Sequence, residues 1–513
     1  MKAYFIFIGL AILSFDCHAP AKQRPPNIIY ILADDLGYGE LGCYGQQMIE
    51  TPNLDRLARE GMRFTDHYAG APVCAPSRCV LLTGQHGGHA FIRGNDEWRE
   101  RGPVWDYVQA VQDPNLEGQR PLSPDSVLIP ELLKQAGYVT GMIGKWGLGA
   151  PLTDGIPNNQ GFDFFYGYNC QRQAHNLYPP FLWKDTVKEW LHNQVVAPGT
   201  RLANGADTLD IRSYDLYHQS DYAPERMHEQ AIHFMRTHKD QPFFLYYASP
   251  LPHLPLQAPD NWVQHYVDKF GNEPPYTGRQ GYFPNRYPHA AYAAMISYLD
   301  EQVGDLMSWL ITLGLEQNTL IIFSSDNGPT YTGGADTEFF DSAKPFKTNY
   351  GYGKGFVHEG GIRVPMIVRW PGHVAPGSTS HLPCAFYDVL PTLCDVAGVP
   401  VDTYTDGISF LPTLLGKKDE QKKHDYLYWE LAEYTGQQAV RMGKWKGIRD
   451  NLLNDSLHIA LFDLEADPQE LHDVGKEHLD ILDQIQRAME EAHIPAATDR
   501  FRYAVLGESK KSE

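Results

Sequence analysis

Two short polar pairs stand far apart in this 513-residue chain. Asp34-Asp35 closes the apolar run Asn27–Ala33, and Asp326-Asn327 closes a second run, LIIF at residues 320–323, after two serines. Adjacent carboxylates repel unless a cation joins them. Three carboxylates and one amide make an all-oxygen donor set, which suits a hard cation, Ca²⁺ or Mg²⁺, and its irregularity favours Ca²⁺. Each pair alone reads better as turn acids at a strand end, and it is their shared position after apolar strands that turns the reading towards a metal. A third segment, Cys74-Ala-Pro-Ser77-Arg78, offers a thiol. Pro76 suits the first turn of a short helix, which puts Cys74 just ahead of it, where the field favours negative charge. Taken alone, that segment is equally a buried, inert thiol.

These residues need elements to hold them. Runs that are apolar on both faces are the mark of central parallel strands. Residues 27–33, 243–248, 320–323 and 364–370 fit, and three of the four run directly into polar segments. Helical stretches lie between them at residues 53–60, 126–135 and 289–313. In the last, Met295, Leu299, Val303, Leu306 and Leu310 recur on one face. Strands alternating with helices predict an α/β fold, with a large, mostly parallel sheet covered by helices on both faces. From about residue 424 the pattern changes to short, turn-separated runs at 426–430, 438–442, 444–449 and 460–464, then a helix at 477–492. That predicts a smaller antiparallel sheet with a helix. The expected division is residues 1–21 as a leader, 22–420 as the catalytic domain and 421–513 as the C-terminal subdomain. Two stretches, 184–226 and 256–289, are rich in aromatic, Pro and Gly residues and read as irregular loops.

Composition excludes other classes. The chain has 43 Lys and Arg against 63 Asp and Glu, a net charge of -20, so it is not a phosphate-neutralising nucleic-acid binder. With 42% hydrophobic residues it is not disordered. Seven cysteines without a Cys-x-x-Cys spacing argue against a zinc site or a disulfide framework, though one bridge stays open. Lys2, the uncharged run at residues 4–15 and the Ala19-x-Ala21 pattern have the layout of a secretory signal peptide, too short to span a membrane. Export to the periplasm or beyond is therefore expected; Cys17 offers a lipid anchor as the alternative.

Cys74, Pro76, Ser77, Arg78, Leu82, Thr83 and Gly84 together form C-x-P-S-R-x-x-x-L-T-G. This resembles the maturation signature of the type I, formylglycine-dependent sulfatases of the alkaline phosphatase superfamily, arylsulfatases among them. A second signature, G-Y-x-T-x-x-x-G-K-W-H, is similar to Gly137-Tyr138-Val-Thr140-Gly-Met-Ile-Gly144-Lys145-Trp146-Gly147, except at its last residue. The likeness continues through Asp34-Asp35, His253 in Pro-His-Leu-Pro, Asp326-Asn327-Gly328, Gly353-Lys354-Gly355 and Leu461 to Pro468.

The resemblance implies that a maturation enzyme oxidises Cys74 to formylglycine. The aldehyde hydrates, one hydroxyl attacks sulfur, and the second expels sulfate. It implies a cation held by Asp34, Asp35, Asp326, Asn327 and the modified residue 74. Arg78, Lys145 and Lys354 would form a cationic cradle, and His253 would be the acid towards the leaving oxygen. In isolation, each lysine reads as an exposed base and His253 as a loop histidine. Where the family has His, this chain has Gly147, which leaves one base unassigned; His175 is the expected replacement or a substrate contact. Arg93, Asn95 and Arg172 are expected to reach the substrate. That substrate is expected to be a sulfated saccharide built of galactose, N-acetylgalactosamine or N-acetylglucosamine, and a short one given the acidic surface. Two alternatives stand beside this reading: a phosphonate or phosphate monoester hydrolase of the same superfamily, and an inactive glycan-binding protein.

Overall fold

In the computed structural model, which describes Met1 and residues 24–508, the strand Asn27–Ala33 is buried along its whole length. Its side chains alternate between two cores. Ile28, Tyr30 and Leu32 enter one, and Ile29, Ile31 and Ala33 the other. It pairs in parallel with Phe243–Ala248 on one side and Thr319–Ser325 on the other. Val139–Lys145 and then Phe164–Tyr168 continue the parallel set. The antiparallel strands Phe181–Lys184 and Val187–Trp190 close one edge. On the far side, Met366–Arg369 runs antiparallel to Thr319–Ser325, and Met62–Phe64 and Ser378–Ser380 finish a ten-stranded sheet. The α/β class and the mostly parallel sheet match the expectation from sequence.

Helices cover both faces. Pro288–Thr312 lays Met295, Leu299, Val303, Leu306 and Leu310 into one core. Its Asp300 caps a neighbouring helix, Pro52–Glu60, by accepting from Asn53 N (3.1 Å) and Leu54 N (2.7 Å). Cys74–Thr83 and Val389–Ala397 pack against the other face. The C-terminal sheet is antiparallel throughout, in the order Leu427–Leu431, Gln437–Met442, Trp445–Arg449, Ile459–Asp463. One face takes the helix Leu479–Ala492. The other lends Leu427, Trp429, Ala439, Ile448 and Phe462 to the main core.

Several expectations need correction. The strand expected at 364–370 is shorter, Met366–Arg369, and antiparallel. The helix expected at 126–135 is Ile129–Lys134, held at its start by Glu131, which accepts from Leu128 N at 2.8 Å. The stretches expected to be irregular hold structure. Asp260–Phe270 is a helix in which Trp262, Tyr266 and Phe270 recur every fourth residue against the sheet-covering core. Val187–Trp190 is an edge strand. The six described cysteines are all free, so no disulfide forms among them. The leader and Cys17 lie outside the described residues. No helix among the described residues is long and apolar enough to cross a membrane.

Candidate active site

Neighbouring parallel strands deliver the site. Ala33 pairs with Ser325, so Asp34-Asp35 and Asp326-Asn327 leave adjacent strands at one level. Gly144 pairs with Ala248, so Lys145 ends its strand beside the segment leading to His253. This is the carboxyl edge of a parallel sheet, where such folds build their sites. A Cβ at Gly144 would stand 1.8 Å from Ala248 O, which explains glycine before the lysine. Asp35 holds a positive φ of 65°, and its amide donates to Asp326 Oδ1 at 3.1 Å, which ties the two acid pairs together.

Cys74 is the first residue of the Cys74–Thr83 helix, one position further in than expected, and is 2% exposed. Its neighbours are charged. Sγ lies 3.4 Å from Asp34 Oδ1, 3.7 Å from Lys354 Nζ and 3.9 Å from Asp35 Oδ1. Lys145 Nζ donates to Asp34 Oδ2 at 2.6 Å, and Lys354 Nζ to Asp35 Oδ2 at 2.7 Å. Arg78 grips Asp326 Oδ2 through Nε (3.0 Å) and NH2 (2.8 Å), and stands 3.5 Å from Asp34. Three acids thus face three fixed cations.

Electrostatics follow from this packing. Burial pushes the Asp34 carboxyl up, but Lys145, His253, Arg78 and Lys354 outweigh it and hold it well below the usual range. Asp326 is pushed up to about 7 by burial and by Asp34. Burial, then Asp34, raises the Cys74 thiol, so an unmodified Cys74 is a poor thiolate. His253 Nδ1 donates to Leu254 O at 2.6 Å, which turns Nε2 towards Asp35 Oδ2, 3.7 Å away.

A cation fits this donor set. Asn327 Nδ2 donates to Asp35 Oδ1 at 2.7 Å, while Asn327 Oδ1 is buried with no partner. A buried amide oxygen left bare is costly, and it belongs to the side chain that bonds Asp35. Asp34, Asp35, Cys74 and His253 also offer ligand atoms within 4.8 Å of one another.

The outer residues fare differently. Arg93 does not reach the pocket and is a correction. It is 2% exposed, and its donors go to Ala90 O, Glu430, Ile494 O and Gly88 O. Asn95 lies beside the site, its Oδ1 accepting from Ala75 N at 3.1 Å and from Gln171 Nε2 at 3.0 Å. Arg172 rests on Trp105, 4.4 Å from the ring centre, and donates to its carbonyl. His175 stacks on His253, with centroids 5.2 Å apart. The space beside Gly147 is filled by Gln171, whose Cγ lies 2.8 Å from where a Cβ would stand. Two residues beside the site escaped the sequence reading: Gln171, and Tyr282, whose ring centre lies 6.2 Å from that of His253. A hint existed for one: Gln171 lies in the same Gln-Arg-Gln-Ala-His run as His175.

Acid pairs, paired lysines and a helix-borne cysteine at the strand ends define a hydrolase site for an anionic ester. The family model described as Sulfatase matches residues 26–399, and the chain belongs to that family, the formylglycine-dependent sulfatases of the alkaline phosphatase superfamily. It is a sulfuric ester hydrolase. The model described as N-sulphoglucosamine sulphohydrolase, C-terminal, matches residues 349–494. Human arylsulfatase A is 35% identical over 447 residues, covering 83% of this chain and 75% of that protein. The N-acetylgalactosamine-6-O-sulfatase of Bacteroides thetaiotaomicron is 28% identical over 540 residues, covering 94% and 97%. The crystal structure of Ps i-CgsB in complex with k-i-k-neocarrahexaose superposes with a TM-score of 0.70 at 28% identity, covering 91% of this chain and 92% of that one.

Proposed function

We propose that this protein is an exported sulfatase that removes sulfate from a saccharide. Its nucleophile would be formylglycine made from Cys74, beside a divalent cation, Ca²⁺ in preference to Mg²⁺. The observation that carries the reading is Cys74 Sγ 3.4 Å from Asp34 and 3.7 Å from Lys354, among acids from opposite ends of the chain. The relatives named for N-acetylgalactosamine-6-O-sulfatase activity and for a neocarrahexaose complex support a sulfated saccharide.

Asp34, Asp35, Asp326 and Asn327 Oδ1 would hold the cation, which supplies Lewis-acid polarisation of a sulfate oxygen. The hydrated aldehyde would supply a hydroxyl nucleophile and a second hydroxyl for release of sulfate. Lys145 and Lys354, held on Asp34 and Asp35, would bring positive charge near residue 74, where the bridging oxygen gathers negative charge as its bond to sulfur breaks. Arg78, fixed on Asp326 and 3.5 Å from Asp34, offsets the charge of both acids. His253, its Nδ1 proton held on Leu254 O, presents Nε2 towards the leaving oxygen; burial and the nearby Lys145 and Lys354 favour the neutral ring, so it would donate there only after Nε2 takes up a proton. Residues 421–513 would be a subdomain that walls the site.

The test is a desulfation screen against defined sulfated saccharides, using protein whose residue 74 conversion is verified by mass. Turnover that vanishes in Cys74→Ala, and on chelation until the cation returns, is expected. A phosphate or phosphonate ester turned over faster than every sulfate ester would overturn it.

A further inference from the structure

Beside Cys74 opens a cavity of about 390 Å³ lined by Asn95, Glu97, Arg99, Trp105, Glu433, Tyr434 and Arg500. Asn95 joins it to the nucleophile helix, because its Oδ1 accepts from Ala75 N. Most of its polar groups are spoken for. Glu433 Oε2 accepts from Asn95 N at 2.9 Å, and its other oxygen faces Arg500 at 3.7 Å. Arg500 also binds Asp96 at 3.1 Å. Arg172 is turned onto Trp105.

Glu97 is the exception. No hydrogen bond or ion pair reaches its carboxylate among the described residues, and Oε2 is buried without a partner. Burial pushes its pKa up to about 7. A carboxylate left bare in a pocket wall destabilises the fold unless something else bonds it. Asp96 and Glu433 lie close by but are each paired with Arg500, and Arg99 also lines the cavity, so charge of both signs surrounds Glu97 and its own need is for a proton donor. A group that donates hydrogen bonds without bringing negative charge would satisfy it.

We infer that Glu97 sets specificity: its carboxylate accepts hydrogen bonds from hydroxyls of the sugar that carries the sulfate ester. At Glu97 the subsite therefore prefers a hexose hydroxyl, which can donate, to a uronate carboxylate or a second sulfate, which cannot. This rests on the sulfatase reading and narrows its substrate.

The test compares wild type with Glu97→Gln, which keeps the shape. The substrates are a panel of monosulfated neutral hexoses, one deoxy analogue of the best of them, and the sugarless 4-nitrocatechol sulfate. Expected is a loss of about 10- to 100-fold in kcat/KM on the best hexose. The aryl sulfate should change by less than about twofold, with the melting temperature unmoved. The deoxy analogue should cost wild type about as much as the substitution does, and cost Glu97→Gln little more. Equal losses on sugar and aryl sulfate, or hexose turnover within about twofold of wild type, would overturn the inference. Wild type that cleaves the aryl sulfate but no hexose in the panel overturns the inference alone. Wild type that cleaves no sulfate ester overturns the sulfatase reading as well.

Discussion

Gly147 takes a φ of +79°, and a Cβ there would press on Gln171. Introducing here the histidine that ends the G-Y-x-T-x-x-x-G-K-W-H signature therefore strains the backbone as well as displacing an amide. Gly147→His is expected to destabilise the protein by about 1–3 kcal/mol and to leave kcat no higher than wild type. Urea unfolding and steady-state turnover check both. Asn327 carries the converse lesson. Its Oδ1 is buried without a partner, and on the proposed reading the cation would take it up. Asn327→Leu should weaken divalent-cation binding by about 10- to 100-fold, read by calorimetry on metal-free protein. Residues of this kind were legible because type and neighbour carry their chemistry: an Asp-Asp after an apolar run, a cysteine two before a proline. Glu97 was not, since nothing in its local sequence shows that its carboxylate ends up without a partner.

Among the elements, the apolar strands were the most legible. Asn27–Ala33 and Phe243–Ala248 fall where their unbroken apolar runs put them. The four C-terminal strands also lie within a residue or two of the expected spans. The Asp260–Phe270 helix was hidden because its aromatic face is interleaved with charge and read as loop composition. Arg93 misled because proximity in sequence to the Cys74 helix suggested the pocket. In the fold it pins that region to the C-terminal sheet through Glu430 at 3.1 Å, both side chains nearly fully buried. Arg93→Ala should lower stability by about 3–5 kcal/mol with KM unchanged, because a buried charge loses its partner. Glu430 also binds His493 at 2.7 Å. Burial pushes Glu430 up, but Arg93 and His493 bring it down to about 2 from 4.5. Its stabilising effect is thus complete above pH 4.5 and fades as pH falls towards 2. Burial lowers the His493 pKa, but Glu430 outweighs it and raises the value above the usual 6.5. That contribution is full below 6.5 and is lost as pH rises through the raised value. Urea midpoints across pH should show both limbs, and Glu430→Gln should flatten them.

At the scale of the whole molecule, a net charge of -20 surrounds a site built to take an anion. The cationic cradle acts at contact distance, whereas the surface acts at range and with the opposite sign. Salt screens the second before the first, with a Debye length of about 10 Å at 0.1 M. KM for a multiply sulfated oligosaccharide should therefore fall as ionic strength rises from low values, while KM for a monosulfated sugar moves little. Initial-rate kinetics over a salt series checks this. The outline at this scale, an α/β body with an antiparallel annex, followed from the change of pattern near residue 424. How the annex docks did not, because Trp429 donating to Ala69 O joins residues with no sequence relation.

The seating of residue 74 also orders events in the life of the chain. Its side chain is sealed beneath paired lysines and carboxylates at the first turn of a helix, with almost no surface left for another protein to grasp. Any enzyme that rewrites this thiol would therefore have to meet it while the polypeptide is still open. On the proposed reading, a chain that closes with its cysteine untouched would stay a bystander, however much of a maturing partner arrived later.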